Sequence, residues 1–327
     1  MNIYRQLADI PAAGGPIVAT IGNFDGVHLG HQGVIAEVIE RARFLGGQSL
    51  AVTFDPHPAR LLRPDRPHQL LTPLERKLEL LAATGVDATL VLPFTEALCR
   101  MPARDFAAHV LVESIHATEI HEGDNFRFGY RAEAGIDGLE ALGRELGFSV
   151  TVYGPRTVRG GAVSSSRIRK LIAAGDVSHA RALLGRPFDL DSTPAPGRGY
   201  GTRYAVPTIN LAPYPELLPA NGVYITTLTV GEGPAAETFE GVTNVGNRPT
   251  FGADSFAVES HLLNFHPLEG VQALTEQTPL RLAFLRRLRA ERPFPTTQSL
   301  RDQIARDVTQ ARRYFTLCNS RTHNASL

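Results

Sequence analysis

The chain has 327 residues, of which 43% are hydrophobic and 20% charged, with 33 basic residues balanced by 33 acidic ones. This length favours two domains, and the composition is that of a folded globular protein rather than a disordered one. Balanced charge disfavours a nucleic-acid or anionic-membrane partner. We expect a cytoplasmic protein, because no apolar run reaches the roughly 18 residues of a membrane span, a signal-peptide pattern is missing, and only two cysteines occur.

The first predicted unit is a strand, a glycine-containing loop and a helix. Residues 16–21 are apolar, Gly22 interrupts them, and apolar residues recur at helical spacing after His31. The start of a helix presents unpaired N–H groups and a partial positive charge, which suit a phosphate. The candidate ATP-binding residues of this loop are Gly22, Asn23, Phe24 and Gly30.

Two histidines, His28 and His31, lie three residues apart at the start of this predicted helix. Residues at this spacing share a helix face, so both imidazoles can approach one ligand and donate hydrogen bonds to phosphate oxygens. Gly30 has no Cβ and leaves room for close contact. The alternatives are two surface histidines, or part of a metal site for which Asp25 is the nearest acidic partner.

Further strands and helices alternate along the first half. Residues 49–54 and 88–92 read as strands, and residues 102–113 as a helix. The segment 72–75 has the pattern of a capping box and predicts a helix to about residue 83. After the strand at 49–54, two prolines at 56 and 58 predict an extended loop, which is either a ligand loop at the sheet edge or a rigid turn.

An aromatic pair follows the next predicted strand, at 118–121. If this segment is extended, Phe126 and Phe128 lie on one side and Arg127 on the other. Aromatic rings suit the face of a flat aromatic ligand, and arginine suits a phosphate. A pair of rings facing the core is the alternative.

Three serines precede the next basic helix. Ser164, Ser165 and Ser166 can cap it and offer hydroxyl and N–H groups to an anion, while Arg169 lies one turn further on. The alternative is a helix cap followed by an exposed basic turn. With a helix at 136–146 and a strand at 148–153, five strands alternate with helices, which predicts a doubly wound, Rossmann-like parallel sheet.

The pattern changes near residue 187. A short helix at 176–184 ends at Gly185, and a stretch rich in proline follows at 192–197. Beyond it, strand-like runs at 222–230, 238–245, 257–265 and 279–284 have no intervening helices, which predicts an antiparallel barrel. A terminal helix from about Thr296 carries a stripe that we expect to pack on the barrel: Leu300, Ile304, Val308, Ala311 and Phe315.

Two features of the second half are compatible with phosphate and metal-ion binding. Residues 197–201 form a glycine-rich loop with Gly199 and Gly201 as candidate ATP-binding residues. Thr208 and Asn210 are two residues apart, so both oxygens can face one hard Mg²⁺ ion. Either pattern also occurs in ordinary loops and strands.

The segment 28–31, His-Leu-Gly-His, resembles the nucleotidyltransferase superfamily signature. The longer string 22–32 resembles the bacterial bifunctional riboflavin kinase/FMN adenylyltransferases, or FAD synthetases. The resemblance covers nearly the whole chain. Its further motifs are 53–58, 122–129 and 163–170, then 197–201, 207–210, 221–224, 241–250 and 258–261, and finally 289–294.

The resemblance implies two activities: FMN adenylylation to FAD in residues 1–186 and riboflavin phosphorylation in residues 187–327. ATP is the co-substrate, flavins are substrates and products, and Mg²⁺ is the cofactor. The implied catalytic residues are His28, His31, Arg169 and Glu259, the last as the general base that accepts the riboflavin 5′-hydroxyl proton. The implied flavin-binding residues are Phe54, Pro56, Asp124, Asn125, Phe126, Phe128, Arg289 and Glu291.

The chain departs from the family pattern at several positions. Ser166 replaces a threonine, some relatives carry aspartate where Asn125 stands, Ala205-Val206 replaces Gly-Phe, and a Leu-Tyr-Gly segment is missing near 266–270. The alternatives to a bifunctional enzyme are, first, an adenylyltransferase with a decayed kinase domain and, second, a non-catalytic flavin-binding module. A nucleotidyltransferase for pantetheine phosphate or a choline-type substrate would lack the Phe126/Phe128 segment and the second domain. The first alternative predicts no FMN from riboflavin, and the second predicts no pyrophosphate release.

Overall fold

A computed structural model describes residues 1–11, 15–66, 68–195, 208–247, 256–264 and 274–324. Contacts divide the chain into two compact units, Met1–Ser165 and Ser166–Leu327. The expected domain boundary at residue 187 therefore lies inside the second unit, which also contains the helices immediately before that residue.

The first unit is built on a six-stranded parallel sheet. Its order is β1-β4-β3-β2-β5-β6. The strands are β1 (Asn2–Tyr4), β2 (Ile17–Ile21), β3 (Gln48–Asp55), β4 (Ala88–Pro93), β5 (Ala117–Gly123) and β6 (Ser149–Tyr153). This confirms the doubly wound fold and adds β1, which is too short for its pattern to stand out in the sequence.

Helices connect these strands, as parallel neighbours require. They are α1 (Leu29–Phe44), α2 (Pro58–Leu62), α3 (Leu74–Ala82), α4 (Glu96–Cys99), α5 (Ala103–Asp105, continuing as a π-helical segment, Phe106–Ser114) and α6 (Ile136–Leu146). The capping box expected at α3 is wrong: Pro73 is the N-cap residue and no side chain caps the helix. The Thr72 hydroxyl instead bonds the loop after β2.

The sheet reverses its direction of growth between β2 and β5. From β2 the chain adds β3 and β4 on one side, and later β5 and β6 on the other. Ligands of open parallel sheets bind at such a switch point, outside the carboxyl ends of the strands. The loop 22–28 after β2, the loop after β3 and the segment after β5 therefore lie at the expected edge. The short hairpin β7 (Thr157–Val158) and β8 (Gly161–Ala162) follows β6.

The second unit is a seven-stranded antiparallel sheet of order β10-β11-β14-β13-β12-β15-β9. Its strands are β9 (Phe188–Ser192), β10 (Pro194–Ala195), β11 (Thr208–Leu211), β12 (Gly222–Val230), β13 (Glu237–Asn247), β14 (Phe256–Leu262) and β15 (Leu280–Ala290). The helices are α7 (Ser165–Ala173), which begins on the last residue of the first unit, α8 (Val177–Leu184) and α9 (Thr297–Asn324).

The terminal helix α9 packs on this sheet with a face that differs from the expected stripe. Ala311 and Phe315 are buried with Val223 and Ile225, as predicted. Leu300 and Ile304 are 39% and 45% exposed, so their assignment to the packed face is wrong. The residues that turn inward over those helical turns are polar, because they meet arginines at the end of β15.

Several motifs lie outside the described residues. They are the glycine-rich loop with Gly199 and Gly201, the Ala205-Val206 departure, Pro207, residues 248–250 and the segment 266–270. Among the described residues, none of the helices is long and apolar enough to cross a membrane.

Candidate functional site

The loop between β2 and α1 is held in a compact, fixed shape. Gly22 donates its N–H to Val52 O at 2.9 Å, and Phe24 and Val27 both have positive φ, at 45° and 37°. Such values strain residues that carry a Cβ, so surrounding contacts must hold them. A Cβ at Gly22 would stand 3.0 Å from the Phe24 ring, so a larger residue there requires that ring to shift.

His28 and His31 come together at the start of α1, as their spacing predicts. His28 is the N-cap residue, and its Nδ1 accepts the His31 N–H at 3.3 Å. The two rings stack, with centroids 3.6 Å apart and planes 15° apart. A Cβ at Gly30 would lie 3.2 Å from the His28 ring, so the missing side chain makes room for that imidazole.

His31 is electrically neutral in this setting. Burial is the main cause that lowers its pKa well below the ordinary value, and electrostatic effects of His28 and Lys77 add to it. Its Nδ1 is buried and has no hydrogen-bond partner among the described atoms. A buried polar atom without a partner costs free energy, so a ligand that satisfies it is favoured. His31 therefore offers a hydrogen bond rather than a charge.

The serine segment before α7 reaches the same loop. Ser165 Oγ donates to Asp25 O at 2.9 Å across 140 positions of sequence. Arg156, which sequence reasoning did not select, accepts the Val163 N–H through its carbonyl, and its Nη1 lies 3.6 Å from where a Cβ of Gly33 would stand. It thus places a cation beside Gly33, at the start of the second turn of α1. Ser164 directly precedes the helix, and Ser166 and Arg169 continue it into the second unit.

Two buried charged residues, Asp25 and Lys77, hold the loop after β2 by hydrogen bonds. The Asp25 carboxylate accepts the N–H groups of Leu71 and Thr72 at 2.9 and 3.0 Å. Lys77, 5% exposed on α3, donates to Asn23 O at 3.2 Å and Thr53 Oγ1 at 3.1 Å. Burial lowers the Lys77 pKa, although Asp25 and Asp55 oppose the shift. The lysine thereby ties the loop after β2 to the end of β3.

Asp25, His57 and His68 form the cluster closest to a metal site among the described residues. Their ligand atoms lie within 4.8 Å of one another, and the two imidazoles stack at 4.4 Å. However, Asp25 already accepts backbone N–H groups, and His57 Nδ1 accepts the Ala59 N–H at 3.1 Å. We therefore assign the cluster a structural role that joins the two loops.

The candidate flavin residues of the first unit line the ends of β3 and β5. Phe54 is half-buried and meets Phe94 edge to face at 5.6 Å, and Pro56 is exposed. Asp124 and Asn125 are also exposed. A cavity of about 290 Å³ adjoins this segment, lined by Asp124, Phe126, Arg127, Glu133, Gly135, Ile136 and Asp137. The larger cavity, about 500 Å³, lies at the opposite, amino end of the strands, around Gly47 and Asp87.

The aromatic pair occupies one side, as expected, but the two rings differ in access. Phe126 and Phe128 stack at 5.5 Å. Phe128 is 8% exposed and packs on Phe106 in the core, whereas Phe126 is only partly buried. Arg127 donates to Ala132 O at 2.9 Å, so its guanidinium holds the adjacent turn. In this structure the Phe126 ring is therefore the more accessible of the two.

Glu122 lies at the switch point of the sheet. This β5 residue is 4% exposed, and its carboxyl accepts the Ile21 N–H at 2.5 Å and the Thr20 hydroxyl at 3.4 Å. Burial raises its pKa well above the ordinary value, against the opposing effect of those hydrogen bonds. Glu122 links the last residue of β2 to the end of β5, just before the flavin segment.

The candidate kinase residues share one row across the sheet of the second unit. Cross-strand pairing joins five residues on adjacent strands, in the order Asn210, Glu259, Asn244, Val223 and Arg289. Directly paired residues have Cβ atoms about 5 Å apart on one face. Thr208, two residues before Asn210, lies on the same face and pairs with His261. Three strand spacings separate Glu259 from Arg289, or roughly 14 Å.

Glu291 and Arg289 lie where β15 ends. A Cβ on Gly246 would stand 2.5 Å from Glu291 Oε1, so this glycine lets the carboxylate pack directly on β13. Arg289 pairs with Asp307 of α9, with Nη2 2.9 Å from a carboxylate oxygen. The structure thus brings both flavin candidates of this unit to one strand end.

Sequence reasoning missed the buried ionisable groups that organise these sites. Lys77 interrupts an apolar helical stripe, and Glu122 interrupts a strand whose neighbours are buried. A charged residue at a position that periodicity assigns to the core is the signal that could have identified them. Asp307 and Gln303 give no such signal, because they lie off the apolar stripe.

Two family models match the chain. A model described as FAD synthetase matches residues 11–167, and one described as riboflavin kinase matches residues 184–315. Among curated proteins, the bifunctional riboflavin kinase/FMN adenylyltransferase of Pseudomonas fluorescens is 33% identical over 95% of this chain and 97% of its own length. The protein of the same description from Escherichia coli K12 is 32% identical, over 96% of each chain.

The fold also occurs in a solved structure. A chain from Streptococcus pneumoniae, described as a macrolide-efflux protein, superposes with a TM-score of 0.82 over 95% of this chain and 98% of its own. At 23% sequence identity, this likeness shows the fold alone.

Proposed function

The chain belongs to the family of bifunctional riboflavin kinase/FMN adenylyltransferases, and from that membership we propose which residues perform each reaction. As a member, it phosphorylates riboflavin to FMN and adenylylates FMN to FAD. ATP is the co-substrate of both steps. We propose residue 187 as the boundary between the activities, supported by the start of the riboflavin kinase match at residue 184.

We propose that adenylyl transfer takes place at the loop between β2 and α1. The FMN phosphate attacks the α-phosphorus of ATP in line, and pyrophosphate leaves. His28 and neutral His31 donate hydrogen bonds to the phosphate oxygens, while the start of α1, Ser165 and Arg169 stabilise their charge. Gly22, Asn23, Phe24, Gly30, Ser164 and Ser166 complete the proposed ATP site. The unpartnered His31 Nδ1 supports this arrangement.

The proposed flavin site for adenylyl transfer uses the ends of β3 and β5. Phe54, Pro56 and Phe126 offer the contact surface for the isoalloxazine, with Asp124 and Asn125 at its edge. Phe128 supports Phe126 from the core rather than touching the flavin, in keeping with its burial. The closeness of these segments to the ATP loop at the sheet switch point supports the assignment.

We propose that riboflavin phosphorylation takes place on the row through Glu259. The Glu259 carboxylate accepts the proton of the riboflavin 5′-hydroxyl as this oxygen attacks the γ-phosphorus of ATP, and ADP leaves. Its cross-strand partner Asn210 and the nearby Thr208 form an oxygen donor set that suits Mg²⁺. When bound there, Mg²⁺ neutralises charge on the ATP phosphates. Arg289 and Glu291 hold the flavin, and Gly199 and Gly201 bind ATP.

The pairing of Glu259 with Asn210 on adjacent strands carries the kinase proposal, because base and metal ligand must share one substrate. The test supplies purified protein with ATP, Mg²⁺ and either riboflavin or FMN, and separates the flavins by chromatography. We expect FMN and FAD from riboflavin, and FAD with pyrophosphate from FMN. FAD from FMN without any FMN from riboflavin would instead establish a decayed kinase domain. We also propose a cytoplasmic location, supported by the need for ATP and by the scarcity of cysteine.

A further inference from the structure

Two polar side chains are buried on the inward face of α9. Asp307 is 3% exposed and Gln303 is 8% exposed. They lie four residues apart on one helix face, and Gln303 Nε2 donates to Asp307 Oδ1 at 2.8 Å. A buried carboxylate is unfavourable unless it is paired, so its partner defines its role.

That partner is Arg289, at the end of β15. Arg289 Nε lies 3.3 and 3.0 Å from the two Asp307 carboxylate oxygens, and Nη2 lies 2.9 Å from Oδ2. Nη1 donates to the carbonyl of Ala290 at 3.2 Å. Most of the guanidinium is therefore committed to protein groups, and its direction is fixed.

Gln303 also contacts a second arginine, Arg292. Gln303 Oε1 accepts a hydrogen bond from Arg292 Nη2 at 2.8 Å. The guanidinium carbons of Arg289 and Arg292 lie 5.6 and 5.1 Å from the centre of the Phe294 ring. Glu291 lies between these two anchored arginines, with its carboxylate against Gly246.

We propose that Asp307 and Gln303 are positioning residues for riboflavin: through Arg289 and Arg292 they hold segment 289–294 in the conformation that presents Glu291 and Phe294 to the flavin. This inference rests on the flavin role proposed above for that segment. Neither helix residue touches the substrate or the reacting atoms. The proposed metal ligands Thr208 and Asn210 lie on β11, four strand positions from β15 along the sheet, so the anchor acts on riboflavin and leaves ATP binding unchanged.

The test compares Asp307→Asn with Asp302→Asn in the full chain. Asp302 is the matched control, because it lies on the exposed side of α9, where its carboxylate accepts a hydrogen bond from the neighbouring Gln298 Nε2 at 2.9 Å. The measurements are kcat and KM for riboflavin and for ATP in FMN formation, with FAD formation from supplied FMN as an internal check. We expect Asp307→Asn to raise the riboflavin KM by about tenfold, as loss of one charge-assisted hydrogen bond does. The ATP KM and the control variant stay at the wild-type values.

Further variants separate positioning from a merely structural role. Gln303→Met keeps the helix packing but loses the three side-chain hydrogen bonds to Asp307, Arg292 and Arg306, and it should also raise the riboflavin KM. This variant carries the test if Asp307→Asn fails to fold. In the double variant with Arg289→Gln, Asp307→Asn should add nothing further. An unchanged riboflavin KM, or equal rises in both KM values, would overturn the inference. Failure of the proposed kinase site is a different result, in which Glu259→Gln leaves FMN formation unchanged.

Discussion

His28 has two separable roles in this structure, and one pair of substitutions distinguishes them. It caps α1 through Nδ1, and its imidazole stacks on His31 at 3.6 Å while only 5% exposed. His28→Ala removes the cap, the stacking and the proposed hydrogen-bond donor to ATP together. His28→Asn keeps a good capping side chain and removes only the imidazole.

The structure sets the size of each effect. Loss of the cap costs about 1 kcal/mol, and loss of the stacked ring contact about 1 kcal/mol more. For a unit of 165 residues, each kcal/mol lowers Tm by about 2–4 °C. We therefore expect His28→Ala to lower Tm by about 4–8 °C and His28→Asn by about half as much. Both should reduce kcat for FAD formation by about 10²–10³, as removal of a charge-stabilising donor does.

The assay measures pyrophosphate release from ATP and FMN, alongside thermal unfolding of each variant. Riboflavin phosphorylation by the same samples is the internal control and should stay at the wild-type rate. A near-wild-type rate of FAD formation in His28→Asn, with a loss only in His28→Ala, would show that His28 is a helix cap without a chemical role.

Three other substitutions test the account. Glu122→Gln should stabilise the first unit relative to the wild type, by an amount that grows as pH rises above about 4.3. Above this pH the carboxyl of the unfolded chain ionises, whereas burial holds the folded-state pKa of Glu122 well above that value. Each unit of pKa difference is worth about 1.4 kcal/mol, and equal gains in the free energy of unfolding by urea at pH 4 and pH 8 would contradict this prediction. The wild type should lose stability as pH falls below about 6.5, because the folded-state pKa of His31 is lowered and only the unfolded chain takes up the proton. His31→Asn should lack this loss, and matching pH profiles of stability in wild type and variant would refute the prediction. Glu259→Gln should abolish FMN formation and leave FAD formation from FMN unchanged, measured by chromatography; a parallel loss of both would argue against separate sites.

The conformation of the loop between β2 and α1 was largely predictable because its determinants are local. An apolar strand, a glycine and an apolar helix stripe dictate the turn, and the spacing of His28 and His31 follows from helix geometry. The approach of Ser165 to Asp25 joins positions 140 residues apart, so no local pattern predicts it. It followed from the family resemblance, which associates the two motifs.

Other expectations were wrong where a tertiary contact competed with a local pattern. Thr72 has the sequence of a helix cap, but its hydroxyl accepts the Gly26 N–H at 3.0 Å instead. On α9, the apolar residues Leu300 and Ile304 suggested the inward face. The helix instead turns Gln303 and Asp307 inward, because arginines from β15 provide partners that the helix sequence alone does not reveal.

Mixing two variants tests most directly the claim that one chain carries two separate sites. Glu259→Gln alone should make no FAD from riboflavin, and His28→Asn alone should accumulate FMN with FAD at about 1% of the wild-type rate or less. Together in one tube, with riboflavin, ATP and Mg²⁺, they should produce FAD, because FMN from one variant is the substrate of the other. A mixture that makes no more FAD than the separate variants would contradict the account.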